Sequence, residues 1–505
     1  MLTRTSSFSS SPPVSPPEPP PSPGARPSPG APPSPGAPPA LVGTPSRAEA
    51  TAAAAAVGPA GGPASAFPGL ARCVEDARAA ALERKDGPPD PTDFAALRAR
   101  LEQAKAALPP DQRRAVGEPL LRKLDALGPK GFARVLAEDP GREGAARLLL
   151  DLAQGVLQAA GRFQPRATGA FQEVVRDLYA GFLSAEDREG VKPPDRGVVP
   201  PVVRWGSADS GPYTWPVTDA ASFGVGAAVV SLPAANATHG LLAWAALAHE
   251  TAGHDILAAD TGLKEELARK VREKLLAERL PLAVADYWAD RIDETAADVL
   301  GVLDMGPAAA VGLVGYFRGL NAAYGGTPTL RSVGPKEDPH PADLARAYLA
   351  EETVRLLSFS GAKGWADRLA AEADRDAGRI RLGDTQVTAG VAKASAEIVA
   401  RTIVRERLRS LEGHALGEIQ DWRDADEAVV AQLRTALRAG DPVAAARNLG
   451  DGAYAAHAVA AAVYEAVEAG ADPRTLQGRM VAVLAAMHDA EAPPAEAGRA
   501  VSAVA

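Results

Sequence analysis

The chain has 505 residues, a net charge of −9 and 46% apolar residues. That length fits two or three domains of about 150 residues each, with enough apolar side chains for a sizeable core. The acidic balance excludes a general nucleic-acid binder, whose basic surface must neutralise phosphates, and argues against docking on an anionic membrane.

Residues 1–66 read as a Pro/Ser/Gly/Ala-rich arm in which the hexamer PSPGAR/PSPGAP/PSPGAP starts at Pro21, Pro27 and Pro33. Proline removes backbone donors and favours extended chain. With few large apolar side chains to offset the ordering entropy, the arm is expected to be a disordered spacer. Its PxxP-like spacings also suit a ligand for an adaptor domain.

Residues 67–200 read as an N-terminal helical region. Leu97, Leu101 and Ala104 recur at helical spacing, as do Leu120, Leu121, Leu124 and Leu127. Breaks are expected at Gly87–Pro91, Pro109–Pro110 and Gly128–Pro129. Aromatic residues are only 5% of the chain, so the helices should pack closely on small side chains.

The texture changes over residues 201–383. Val202–Trp205 and Val225–Leu232 are apolar runs bounded by Gly, Ser and Pro, and they read as short strands. A helix is expected to start near Thr238, a suitable N-cap, and to run through His254. Lys264–Leu280 reads as a charged amphipathic helix. Pro281 suits the first turn of the next, which is expected to continue to about Leu303. Residues 384–505 read as a C-terminal region of Ala-rich helices. The fold class expected is mainly α with a small β element, a central core flanked by helical regions.

The chemistry concentrates in LAHETAGHDIL, which carries His249, Glu250, Gly253 and His254. The zinc-protease pattern HExxH puts two imidazoles on one side of a helix at i and i+4. Here the spacing is i, i+5, about 140° beyond a full turn on an ideal α-helix. A π-type turn absorbs the extra residue and realigns the rings, and Gly253 eases such a distortion. Further on, RIDETAADVLG carries Asp293, Glu294 and Asp298. Asp286, Asp290, Glu294 and Asp298 recur every fourth residue, a like-charge stripe that must face water or a cation. Glu294 is the expected third ligand of a Zn2+ site with one open position. Asp298 and Asp293 are expected to orient the two imidazoles.

This set implies hydrolysis. Zinc lowers the pKa of its bound water to about 7, Glu250 takes that water's proton, and a protein donor meets the developing oxyanion. His340, in DPHPADLARAYL, is the candidate donor, followed by Arg346, Tyr316 and Arg318. The strand Val225–Leu232 is expected to pair with an extended peptide or protein substrate.

HETAGH followed by DETAAD resembles the dipeptidyl peptidase III family of zinc peptidases, with Asp293 where that family usually has Glu. The resemblance covers about a dozen residues at the metal site. It implies His249, His254 and Glu294 as zinc ligands, Glu250 as base, and Asp293 and Asp298 as partners of the histidines. The wider resemblance is to zincin-type peptidases with an ExxxD motif, which implies a zincin-like metallopeptidase core between the helical regions.

Two other readings stay open at this stage. One is a non-catalytic helical scaffold with a structural or vestigial metal site. The other is an iron or manganese enzyme, since two His and one carboxylate also describe non-haem iron centres. His239 reads as a capping group or as a support behind a ligand, and His414, His457 and His488 as structural. The one cysteine, Cys73, reads as inert. It allows no intrachain disulfide. With no apolar core of signal-peptide length in MLTRTSSFSSSPPV and no transmembrane-length apolar run, a cytoplasmic location is expected.

Overall fold

The computed structural model describes residues 65–161, 163–184, 188–196, 199–447 and 452–491. The Pro-rich arm lies outside the described residues, apart from its last two. The fold is mainly α with two small sheets. Among the described residues no helix is long and apolar enough to cross a membrane.

The N-terminal region holds five long helices: α1 (Leu70–Leu82), α2 (Phe94–Ala104), α3 (Glu118–Glu138), α4 (Ala145–Ala159) and α5 (Pro165–Leu183). Asp93 caps α2 by accepting from Ala96 N at 2.7 Å. The expected break at Gly128–Pro129 is a kink within α3, where Gly128 takes φ +61°. Helix α4 is apolar on nearly every side because it lies between α2, α5 and a sheet, burying Leu148, Leu149, Leu150, Leu152 and Val156.

That sheet comprises β1 (Val202–Gly206), β2 (Tyr213–Trp215) and β3 (Val229–Pro233), in the order β1-β3-β2. Strand β3 pairs parallel with β1 and antiparallel with β2. Every strand residue is buried, which explains their continuous apolar runs. The expected strand at 225–232 therefore needs correction. It is regular only over Val229–Pro233, and its backbone is paired on both sides. It has no free edge to offer a substrate.

After the sheet, α6 (Leu242–Leu247) runs directly into a π-helical segment, Ala248–Asp255. The helix starts four residues later than expected, and Thr238 is not its cap. The Gly240 and Leu241 amides instead donate to Asp76 Oδ2 on α1, at 2.8 and 3.2 Å. A distant carboxylate thus does the work of a local N-cap.

Helix α7 (Leu263–Ala277) leads to α8 (Leu282–Asp290) and α9 (Ile292–Met305). The single helix expected over 281–303 is interrupted at Arg291 (φ −111°, ψ 25°), whose guanidinium donates to the carbonyls of Pro335 and Lys336. The break dissolves the four-carboxylate stripe. Asp290 is exposed and Asp286 pairs with Arg272 at the surface. Glu294 and Asp298 on α9 point inward and are buried.

The remaining long elements are α10 (Pro307–Leu320), β4 (Val333–Gly334), α11 (Asp343–Leu356), α12 (Ala362–Asp374), β5 (Ile380–Leu382), β6 (Thr385–Val387), α13 (Ala389–Arg405), α14 (Asp424–Arg438), α15 (Ala455–Ala469) and α16 (Pro473–Glu491). Strands β4, β5 and β6 form the second sheet. One continuous apolar core runs from Phe67 to Leu484 and takes in residues of all three described regions. A second cluster lies between α2, α3, α4 and the first sheet.

Candidate metal centre

The π-helical segment Ala248–Asp255 spans the whole HETAGH motif. Its wider turn answers the geometric problem set by the i, i+5 spacing. Imidazole centroids of His249 and His254 lie 5.0 Å apart with ring planes at 88°. Close packing on α9 fixes the segment. A Cβ on Gly253 would come within 2.0 Å of Ala297 Cβ and 2.3 Å of Ala297 Cα. A Cβ on Gly301 would meet the backbone of Ala248 and His249 at 3.0 Å. Glycine is therefore needed at both positions for backbone approach.

That approach brings Glu294 between the two rings. Its Oε2 is 3.2 Å from His249 Nε2, and its Oε1 is 3.6 Å from His254 Nε2. One ligand atom from each of the three residues lies within 4.8 Å of the others, and all three side chains are buried. Both His249 Nε2 and Glu294 Oε2 have no hydrogen-bond partner. Buried nitrogen and oxygen atoms left this way are costly unless something binds them. A cation held by His249, His254 and Glu294 meets that need.

The second ring nitrogens have carboxylates behind them. His249 Nδ1 is 2.8 Å from Asp298 Oδ1. Arg346 holds Asp298 from the far side, with Nε to Oδ2 at 2.7 Å and Nη2 to Oδ1 at 2.8 Å. Asp293 stands more loosely, 3.8 Å from His254 Nδ1, and pairs with Lys264 at 2.9 Å. A carboxylate behind an imidazole fixes its tautomer and aims its other nitrogen.

Glu250 is fully buried beside the ligands. The Thr214 hydroxyl donates to Glu250 Oε2 at 3.0 Å, while Oε1 has no partner. His340 joins the group from the loop before α11. Its Nε2 is unpartnered and lies 3.6 Å from Glu294 Oε1, while its Nδ1 is held by Asp338 at 2.8 Å. Arg331 in turn pairs with Asp338. Tyr316 is buried on α10. Arg318 is not at the site; it is bound by Glu372 and Asp376. His239 pairs with Glu83, and Asp255 accepts from Val217 N.

The electrostatics follow from these neighbours. Burial raises the Glu250 carboxyl above its ordinary value. Burial would also raise Glu294, but the His340, His254 and His249 rings around it hold it well below the usual range. For His254, burial works downward, yet Glu294 and Asp293 push it up to about 9. Asp298 is held low by Arg346 and His249 despite its burial. Glu250, Asp293, Glu294 and Asp298 bring four negative charges, and Arg346 and Lys264 return two. Without an ion, protonated imidazoles supply the balance; a divalent ion would take their place on displacing those protons.

Compared with known proteins, the chain matches no family model, no curated protein and no solved structure. The reading of this centre therefore rests on its own residues.

The structure brings together every residue singled out as ligand, base or orienter: His249, His254, Glu294, Glu250, Asp298 and, at a longer distance, Asp293. His340 joins them. Three partners were missed. Arg346 was expected as an oxyanion donor after His340, yet it holds Asp298. Asp338 was visible in DPHPADLARAYL without a role. Thr214 lies in a three-residue strand whose signal, an aromatic–β-branched–aromatic run between Pro212 and Pro216, was readable.

Proposed function

We propose that the chain is a zinc-dependent peptidase of zincin type, resembling the dipeptidyl peptidase III family at its metal site. The observation that carries this reading is the juxtaposition of two things. One is a buried His249–His254–Glu294 ligand set. The other is Glu250, whose Oε1 is unpartnered beside it.

When bound, zinc supplies Lewis acidity and an activated water. The protein's own groups account for the rest of a hydrolytic cycle. Glu250 Oε1 accepts the proton of the attacking water, with Oε2 held by Thr214. Burial makes this carboxylate a stronger base than a solvated one. The proton then passes to the leaving amine. His340, as the imidazolium whose Nδ1–H is held by Asp338, donates from Nε2 to the developing oxyanion. Asp298, backed by Arg346, keeps His249 Nε2 aimed at the ion.

Glu250→Gln is the test. The variant retains metal, and its turnover of a peptide library falls by about 10²- to 10⁴-fold. Unchanged turnover would remove Glu250 as the base.

A second reading is a non-catalytic scaffold whose metal is structural. The burial of His249, Glu250, His254 and Glu294 favours it, because closed structural sites need no access. It expects metal in the protein, no turnover in either form, and a large loss of thermal stability on chelation.

A further inference from the structure

Thr214 of β2 holds Glu250 Oε2, so the placement of β2 bears on the placement of the base. The strand has only three residues, and among the described residues it pairs with β3 alone, with Tyr213 opposite Ser231, Thr214 opposite Val230 and Trp215 opposite Val229. A strand this short lies at the lower end of the usual range and needs other fastenings. Its side chains alternate, so Tyr213 and Trp215 face one side and Thr214 the other. On its own side, the Thr214 hydroxyl reaches both Glu250 Oε2 and the Glu250 carbonyl oxygen, each at 3.0 Å. Just beyond the strand, Val217 N donates to Asp255 Oδ1 at 2.8 Å, at the end of the π-helical segment. The position of β2 therefore sets where the Glu250 carboxylate is held.

Strand β2 is in turn fastened from behind by one carboxylate. Asp151 on α4 accepts at Oδ2 from the Tyr213 hydroxyl at 2.6 Å and from Trp215 Nε1 at 2.8 Å. Its Oδ1 binds the Arg204 guanidinium of β1, which also donates to the Tyr213 hydroxyl at 2.9 Å. Arg147, one turn before Asp151 on α4, lies over the Tyr213 ring at 4.4 Å. Asp151, Arg204, Tyr213 and Trp215 are all buried. One side chain thus joins α4, β1 and the two aromatic residues that flank Thr214.

We propose that Asp151 is a positioning residue for Glu250, acting through Tyr213 and Trp215 on the Thr214 hydroxyl. The contacts are those of the structure; that they serve a base rests on the peptidase reading. A buried ion pair adds little net stability over apolar packing, and fixing register is its best-attested use. The register fixed here is that of the strand carrying Thr214. Glutamate is a flexible side chain that must be ordered before it can act, and a misplacement of about 1 Å can cost about 100-fold in rate.

Asp151→Asn removes the charge facing buried Arg204 and endangers the fold. The test therefore uses Tyr213→Phe together with Trp215→Phe, which frees β2 from Asp151 and leaves the Asp151–Arg204 pair in place. The zinc-loaded full chain acts on whichever library peptide it cleaves fastest. For the Phe pair, kcat is expected to fall about 10- to 100-fold, with KM and zinc content unchanged. Thr214→Val should give a similar fall, and Thr214→Ser, which keeps the hydroxyl, should recover most of it. Because the clamp acts through Thr214, adding the Phe pair to Thr214→Val should lower kcat no further. Multiplied losses in that triple variant, an unchanged kcat in the Phe pair, or a fall in kcat matched by loss of zinc would overturn the clamp. A second readout needs neither metal nor turnover. In the metal-free full chain carrying carbon-13 at glutamate Cδ, the Glu250 carboxyl resonance is identified by its loss in Glu250→Gln. It should move in the same direction in Thr214→Val and in the Phe pair, and an unmoved resonance in the Phe pair overturns the clamp. A wild-type chain without turnover refutes the peptidase reading, while this resonance still decides the clamp.

Discussion

His249 and His457 are both buried histidines held against a carboxylate, in two regions of the molecule, and only the first has the makings of a metal site. In the C-terminal region, His457 on α15 lies 3.0 Å from Asp426 on α14 through Nε2, and its Nδ1 accepts from Tyr454 N at 3.1 Å. Both ring nitrogens are satisfied, and the ring packs edge-on to Trp422. At the π-helical segment, His249 spends Nδ1 on Asp298 while its Nε2 stays unpartnered and turns toward Glu294. A buried His–acid pair is thus not diagnostic by itself. What distinguishes the centre is convergence: two imidazoles and a carboxylate sharing one small volume, with polar atoms left over.

The sharpest way to break this comparison is to remove one member from each side. His254→Ala should abolish stoichiometric metal binding, because two protein ligands do not hold zinc in a closed interior. Next in size is Gly253→Ala. Its Cβ collides with the Ala297 backbone, and about 3 kcal/mol of stability should be lost in denaturant titration, together with metal. Asp298→Asn keeps the volume but weakens the support behind His249. Metal affinity, read by competition with a chelating dye, should fall about 10- to 100-fold while the fold survives. His457→Asn is the smallest expected effect: about 1 kcal/mol in stability from lost hydrogen bonds, with metal content unchanged. If His457→Asn lowered metal content as His254→Ala does, the distinction between the regions would fail.

The centre was legible because most of its residues lie in two short, chemically unusual motifs, HETAGH and DETAAD. The i, i+5 spacing of HETAGH stated a geometric problem whose answer, a π turn, is found over Ala248–Asp255. Glu294 and Asp298 were legible from their spacing on one helix. The helix ends were less so, for reasons that lie in tertiary contacts. Asp76, far upstream, satisfies the start of α6, and the carbonyls of Pro335 and Lys336 stabilise the break at Arg291. No local pattern announces either. The same holds for Arg346, whose choice of Asp298 over nearer acids depends on how α11 packs on α9. Strand β3 was read as an open edge because pairing partners are invisible along one segment; the three residues of β2 close that side.

The central claim is that His249, His254 and Glu294 hold a divalent ion. Metal analysis of the purified full chain, beside His254→Ala, tests it most directly. The account predicts about one zinc per chain in the first protein and none in the second. A wild-type chain that takes up no metal when zinc is supplied would contradict it.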